Sequence, residues 1–190
     1  MANMPDPKVY EGLIDHLERH LGPFRTAQPP TVHGGNRGFS IAVYKHPDHD
    51  MFTAVSNGLR FQSITTLMPQ EFVCSLKQEQ NTFAQAIVDM FASSAVKNGR
   101  GLEYDGVIDT GRPFIPDSRI QGVLACPHPY AGEAFDLFPT GEKPILQLIT
   151  LIPVTTAEIA FIGTNGADEL QARWVERATD LLTIFRASAV

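Results

Sequence analysis

The chain has 190 residues, 43% hydrophobic and 19% charged, which suits one folded domain with a sizeable core and excludes a disordered chain. A net charge of −6 and a pI near 5.4, with no run of Lys or Arg, set it against phosphate and anionic lipid, so neither nucleic acid nor a membrane surface is an expected partner. No stretch is apolar for long enough to span a bilayer, and the N-terminal MANMPDPK lacks the apolar core of a signal peptide, so a cytoplasmic protein is expected.

Asp6 and Pro7 suit an N-cap and a first helical position. Val9, Tyr10, Leu13, Ile14, Leu17 and Leu21 follow at helical spacing until Gly22-Pro23 stops the helix. Residues 28–38, QPPTVHGGNRG, read as a loop by composition. Residues 39–44 and 51–56 alternate as two strands of a hairpin whose tip, 46–50, is polar. After the Asn57-Gly58 turn, residues 59–67 show no assignable pattern, and 71–77, EFVCSLK, alternate as a strand. Phe83, Ile87, Met90 and Phe91 mark a helix over 82–97, with Ala84, Ala86, Ala92 and Ala95 suited to close packing on a sheet. Residues 100–118 are loop-rich around a short Val107-Ile108 segment, 120–126 form a further strand, and 135–138 a short one.

The rest is organised around residues 144–159, PILQLITLIPVTTAEI. Ile145, Leu146, Leu148, Ile149, Leu151 and Ile152 are apolar on both faces, which predicts a central strand with no solvent side. Pro153 lacks a ladder donor and is placed at the strand's end. Thr155 and Glu158 stand at capping-box spacing, so a helix is expected at once, running to Gly163, with Glu158 in a structural role. Beyond the Asn165-Gly166 interruption, Asp168 and Glu169 favour the start of a last helix whose buried stripe is Leu170, Trp174, Leu181 and Phe185. The whole, residues 1–190, reads as a single α+β domain: a mixed β-sheet flanked by helices.

No pattern of residues announces chemistry. Cys74 and Cys126 lie far apart inside apolar runs and read as two buried thiols rather than a disulfide. His16 and His20 stand four apart, but Glu18 and Arg19 between them favour a solvated face over a metal site. His46, Asp48, His49 and Asp50 read as a hydrophilic hairpin tip before a cation site. Cys126-Pro127-His128 places a thiol and an imidazole too close along the chain to orient toward one another as nucleophile and base. Gly34 to Gly38 precede a strand, so no helix N-terminus is available to make them a phosphate loop. No residue is assigned a catalytic, cofactor-binding or metal-binding role.

Gly58-Leu59, the EFVCSLK strand, Ser118-Arg119-Ile120-Gln121 and the LQLITLIPVTTAE passage with Pro153 and Glu158, in that order over residues 52–174, resemble the Suppressor of Fused domain. Residues 1–51 supply an N-terminal helix and the start of the hairpin. The resemblance implies a mixed sheet flanked by helices, with no enzymatic activity and no cofactor. Animal members restrain a transcription factor through a second domain and an acidic site. This chain is too short for both domains, and Arg60-Phe61-Gln62-Ser63 stand where the acidic residues would be. The resemblance is therefore to the stand-alone bacterial branch, which implies a protein-binding module and, by analogy with some relatives, an immunity protein that neutralises a toxin. A basic toxin would suit the acidic charge. Asp109, Arg112 and Arg119 are the candidate partner-binding residues, and the loops 101–118 and 128–142 the expected surfaces. From other classes, a small metal-dependent or hydrolytic enzyme would use His46, His49 or His128, and a scaffold would form homodimers through an exposed strand edge.

Overall fold

The computed structural model describes residues 7–141 and 143–190; Asp6, the expected N-cap, lies outside them. In chain order the elements are α1 (Leu13–Leu21), β1 (Phe24–Gln28), β2 (Thr31–Val32), β3 (Gly35–Asn36), β4 (Ser40–Lys45), β5 (Phe52–Asn57), β6 (Gln70–Leu76), α2 (Asn81–Asn98), β7 (Val107–Asp109), β8 (Ile120–Cys126), β9 (Leu137–Phe138), β10 (Leu146–Thr155), α3 (Thr156–Asn165) and α4 (Ala167–Glu176). An eight-stranded mixed sheet runs β1-β4-β5-β6-β10-β8-β7, with β9 paired to the start of β10. β6 and β10 are parallel and every other pair is antiparallel. β2 and β3 form a separate small hairpin inside the segment read as a loop.

β10 is buried along its length, apart from half-buried Gln147, because both faces of the sheet are covered. On one face, α2 lays Ala84, Ile87, Val88, Phe91, Ala92 and Ala95 over Phe72, Cys74, Ile149 and Leu151. Its small residues let the helix approach the sheet closely, and Gly99, in the left-handed region at φ 65°, ends it by donating to Ala95 and Val96 carbonyls. On the other face, α1 packs Leu13, Leu17 and Leu21 over Tyr44, Val55, Val73 and Leu148, while α4 packs Leu170 and Trp174 over Leu124, Ile152 and Val154. The α+β reading with a mixed sheet flanked by helices therefore holds.

Four expectations change. Pro153 lies inside β10, paired with Val123, not at its end. β6 leaves β10 after the Val73–Thr150 pair, and the Pro153 carbonyl faces that vacated side, where it accepts from Arg186. A residue's N and O leave a strand on the same side, so the nitrogen without a hydrogen also points away from β8. The first helix is broken at Gly12 (φ 84°), and the buried stripe of α1 is Leu13, His16, Leu17 and Leu21, which leaves Ile14 60% exposed and puts His16 in the core. The 71–77 strand has no solvent face: Glu71 and Ser75 are buried as fully as their apolar neighbours. The last helix stops at Glu176; Leu181 is buried from a non-helical C-terminal segment and Phe185 is 53% exposed.

Gly122 shows how closely β7 and β8 pack. A Cβ there would overlap the Ile108 carbonyl oxygen of β7 and press Ile159 of α3. Gly122→Ala is expected to lower the unfolding free energy by about 1–3 kcal/mol in a denaturant titration, the usual range for overpacking.

Candidate functional site

The Gly58-Leu59 turn is built on a buried carboxylate. Gly58 has φ 122°, and a side chain there would crowd Gly38 O and the Phe39 Cα, at 3.2 and 3.3 Å from a Cβ. The turn brings the backbone N–H groups of Gly58, Leu59 and Arg60 to Glu71 at 2.8, 3.2 and 3.3 Å. The Ser56 hydroxyl and the Arg60 guanidinium, the latter at 2.6 Å, also donate to Glu71. Burial lifts the Glu71 pKa above its ordinary value, and Arg60, Ser56 and Gly58 pull it only part of the way back. All of these partners are donors, so the site is made for the ionised form. Arg60 then lies over the Tyr10 and Phe61 rings, 4.9 and 4.4 Å from their centroids. The sequence reading missed Glu71; the signal was a carboxylate in a strand that has polar residues but no solvent face.

Glu158 is more than a helix cap. The capping box forms as expected, with Glu158 N donating to Thr155 Oγ1 at 3.2 Å and Thr155 N to Glu158 Oε2 at 2.9 Å. Arg186 adds a two-pronged ion pair at 2.6 and 2.8 Å, while Trp174 Nε1 and Ala189 N each donate to Oε1 at 3.1 Å. Burial would raise the Glu158 pKa, but Arg186, with the Thr155 and Trp174 donors, outweighs it and holds the carboxyl below its ordinary range.

The Ser118–Gln121 motif is mostly committed inward. Ser118 Oγ donates to Ile115 O at 2.9 Å, and Gln121 bridges Asp109 (2.9 Å) and Thr156 (2.7 Å). The Gly111 amide and Gln121 hold the Asp109 carboxyl below its usual range. Asp109 thus closes its own loop, whereas the Arg112 and Arg119 side chains are exposed and make no ion pair among the described residues. Beside them, Phe83, Met90, Phe114 and Pro116 line a shallow hollow of about 240 Å3.

The histidines separate. His46 and His49 stack at 4.5 Å on the hairpin tip, and no group of three or more His, Cys, Asp or Glu among the described residues is placed to hold a metal ion. His16, contrary to the solvated reading, is buried against Phe135 O at 2.8 Å, and His20 reaches Ala131 O at 3.1 Å. His128 lies 2.7 Å from Ser75 Oγ, which reaches Thr53 Oγ1 at 2.7 Å. Tyr130 N–H donates to His128 Nδ1 at 3.1 Å, so Nε2 carries the proton and donates to Ser75. A general base would need that nitrogen bare. Burial pushes His128 down to about 3 and Cys126 up to about 12, and lifts Cys74 as well, so neither imidazole nor thiol is activated.

A larger apolar concavity lies elsewhere, between α1 and the β1–β4 edge of the sheet. It has a volume of about 570 Å3 and is walled by Tyr10, Leu13, Ile14, Leu17, Phe24 and Tyr44, with Ala27 and Ala42 as small residues beside them. Arg60 and Phe61 close one side, so Glu71 shapes this groove through the residues it anchors.

Residues 35–187 match the family model of the Suppressor of fused protein (SUFU). The chain belongs to the Suppressor of fused family. A SUFU homolog from Neisseria gonorrhoeae FA 1090 superposes with a TM-score of 0.70 at 20% identity, over 97% of this chain and 98% of that one. A chain of the Sufu–Fu complex superposes with a TM-score of 0.63 at 16% identity, over 86% of this chain and 83% of that one. No curated protein matches the sequence. At these identities the likeness to the solved structures is one of fold.

Two outcomes test these sites. Arg186→Leu strands the Glu158 carboxylate without its cation and should lower stability by about 3–5 kcal/mol in chemical denaturation. His128 is neutral in the fold and protonates in the unfolded chain near 6.5, so its contribution is full above that pH and is lost as pH falls toward about 3. Asp136, raised to about 6 by burial, acts in the opposite sense as pH falls to its ordinary 3.8, offsetting part of the loss. His128→Asn keeps an acceptor but does not titrate, so its stability should fall less between pH 6.5 and 4 than the parent's; parallel curves would contradict the buried neutral imidazole.

Proposed function

We propose that this SUFU domain works without catalysis, by binding a protein partner, and that it serves as a bacterial immunity protein that neutralises a basic toxin. The observation that carries the binding role is the apolar groove beside α1, where Ile14 and Phe24 remain 60% and 45% exposed. An exposed concavity of this character is what a protein interface uses for its central anchors. Family membership supports the same role, since one structural neighbour is described as part of a Sufu–Fu complex.

A toxin antagonist is supported by the net charge of −6, which favours fast encounter with a cationic protein and disfavours nucleic acid. Cytoplasmic residence fits the two free, buried thiols, Cys74 and Cys126, and no helix among the described residues is long and apolar enough to cross a membrane.

The tagged full chain, used to capture proteins from its native host at low and high salt, tests the reading. One dominant basic protein, retained at low salt and released at high salt, is the expected result. Capture of nothing specific at either salt would overturn it.

A further inference from the structure

Three imidazoles from two distant parts of the chain close on one buried ring. His16 and His20 of α1 and His128, just past β8, have ring centroids 6.0, 5.8 and 5.2 Å from that of Phe135, which is fully buried. His16 and His20 are themselves 4.9 Å apart. Both hold the 127–136 loop between β8 and β9 by donating to its carbonyls, His16 to Phe135 and His20 to Ala131. Among the described residues, no other side chain of α1 hydrogen-bonds to a distant segment; Glu18 reaches only Phe24 N, six residues on.

Nothing around these imidazoles supplies a counter-ion. His16 faces His20 and Arg19. His128 faces His20 from α1 and the Ser75 and Thr53 hydroxyls on the sheet. Within the loop, Asp136 accepts the His128 backbone N–H at 2.8 Å, and Glu133 is exposed. Cys126 of β8 is a buried thiol, and Tyr104 is a phenol beside Asp136. Tyr130 meets Lys77 and Asp180, which pair with each other, and Arg186, which pairs with Glu158. No ion pair joins the three imidazoles to a carboxylate among the described residues. A proton on His128 would turn Nδ1 from acceptor to donor against the Tyr130 N–H. A proton on His16 would keep its bond to Phe135 but bury a charge beside a second imidazole and a guanidinium.

We propose that the 127–136 loop is a pH-operated latch, which pins α1 to the sheet at neutral pH and releases it in acid. Burial holds His16 and His128 below 6.5, His128 at about 3, so an open loop takes up protons that the closed one refuses. Opening therefore gains as pH falls through 6.5. Asp136, raised to about 6 by burial, acts the other way: down to 3.8 the closed loop keeps a proton that the open one gives up. At pH 5 the His128 difference favours opening by about thirtyfold and Asp136 resists by about tenfold, with His16 adding to the former. α1 is also a wall of the apolar groove, so opening the latch dismantles that groove, but the latch does not depend on a partner binding there.

Residue-resolved amide exchange of the full chain in low urea, at pH 7.5 and at pH 5, tests the latch. Exchange through a local opening is nearly insensitive to urea, whereas exchange through global unfolding is not. Amides of α1 and of residues 131–136 should exchange through a local opening. Its equilibrium constant, corrected for intrinsic exchange, should rise about threefold or more in acid. Amides of β10 should stay on the urea-sensitive route. Asp136→Asn keeps an acceptor for His128 N and removes the opposing proton, so the rise should reach about thirtyfold or more. His16→Gln, which can still donate to Phe135, combined with His128→Asn leaves Asp136 to set the response, and acid should then tighten the loop. Loop exchange only by the global route, a local opening indifferent to pH, or an unchanged response in Asp136→Asn would overturn the proposal.

Discussion

A carboxylate removed from water has to be given donors, and Glu71 and Glu158 are where this fold meets that requirement. Glu71, on β6, draws in the Gly58–Arg60 turn through three backbone amides and a guanidinium. Glu158, one turn past the end of β10, draws in Arg186 and the amide of Ala189 from the far end of the chain. Neither segment is held in the sheet by ladder bonds. Without the two carboxylates, the turn would lose the donor-acceptor set that orders it, and the C-terminal segment would lose its charged anchor. Each carboxylate also passes order outward: Arg60 fixes the Tyr10 and Phe61 rings, and Arg186 packs over Trp174 at 5.7 Å.

The elements legible in the sequence are those set by a local rule. β10 was visible because a strand covered on both faces must be apolar in every register, and the Thr155/Glu158 box announced α3 through bonds that close within one turn. β8 and α2 were visible for similar reasons. What escaped depends on partners far away in the chain. Glu71 reads as an exposed position of an alternating strand until the fold covers both faces of β6. His16 looks solvated beside Glu18 and Arg19, yet the break at Gly12 sets the helix phase so that it faces Phe135, across 119 residues of sequence. Pro153 looks like a strand end because its neighbour on one side, β6, departs only in three dimensions. The helical spacing of Leu170, Trp174, Leu181 and Phe185 was accidental beyond Glu176, because Glu158 pulls the following chain back across the β10–α3 junction. β1 escaped because FRTAQ has little apolar pattern; it is an edge strand with an exposed face.

The candidate site shows the same division. Composition gives the sign of this chain's own net charge, and it cannot give the place of a contact, because charge balance is a property of the whole chain and docking is local. Asp109 was picked out as a polar loop residue, and the fold spends it on Gly111 and Gln121. Arg112 and Arg119 do face solvent, in a loop that also exposes Glu103, Asp105 and Asp117. The groove was invisible to a linear reading because its walls come from α1, β1, β4 and the turn after β5, and because Ile14 was assigned to the buried stripe.

The residues that make the chain recognisable are mostly committed inward. Gly58 fits a backbone approach, Leu59 is fully buried, Ser118 and Gln121 close loops, and Glu158 clamps the C-terminal segment. Such residues specify an architecture and leave little free to touch another molecule. The exposed wall of the groove is different: Ile14, Glu18 and Phe24 all precede residue 35, where the family match begins. Arg60 and Phe61, which also line the groove, and the Glu71 that pairs with Arg60 lie inside the match, so the groove joins residues from both parts of the chain. A fold kept rigid by buried carboxylates and an exposed wall set apart from them allow one to change without disturbing the other, which is how a common scaffold can serve different partners.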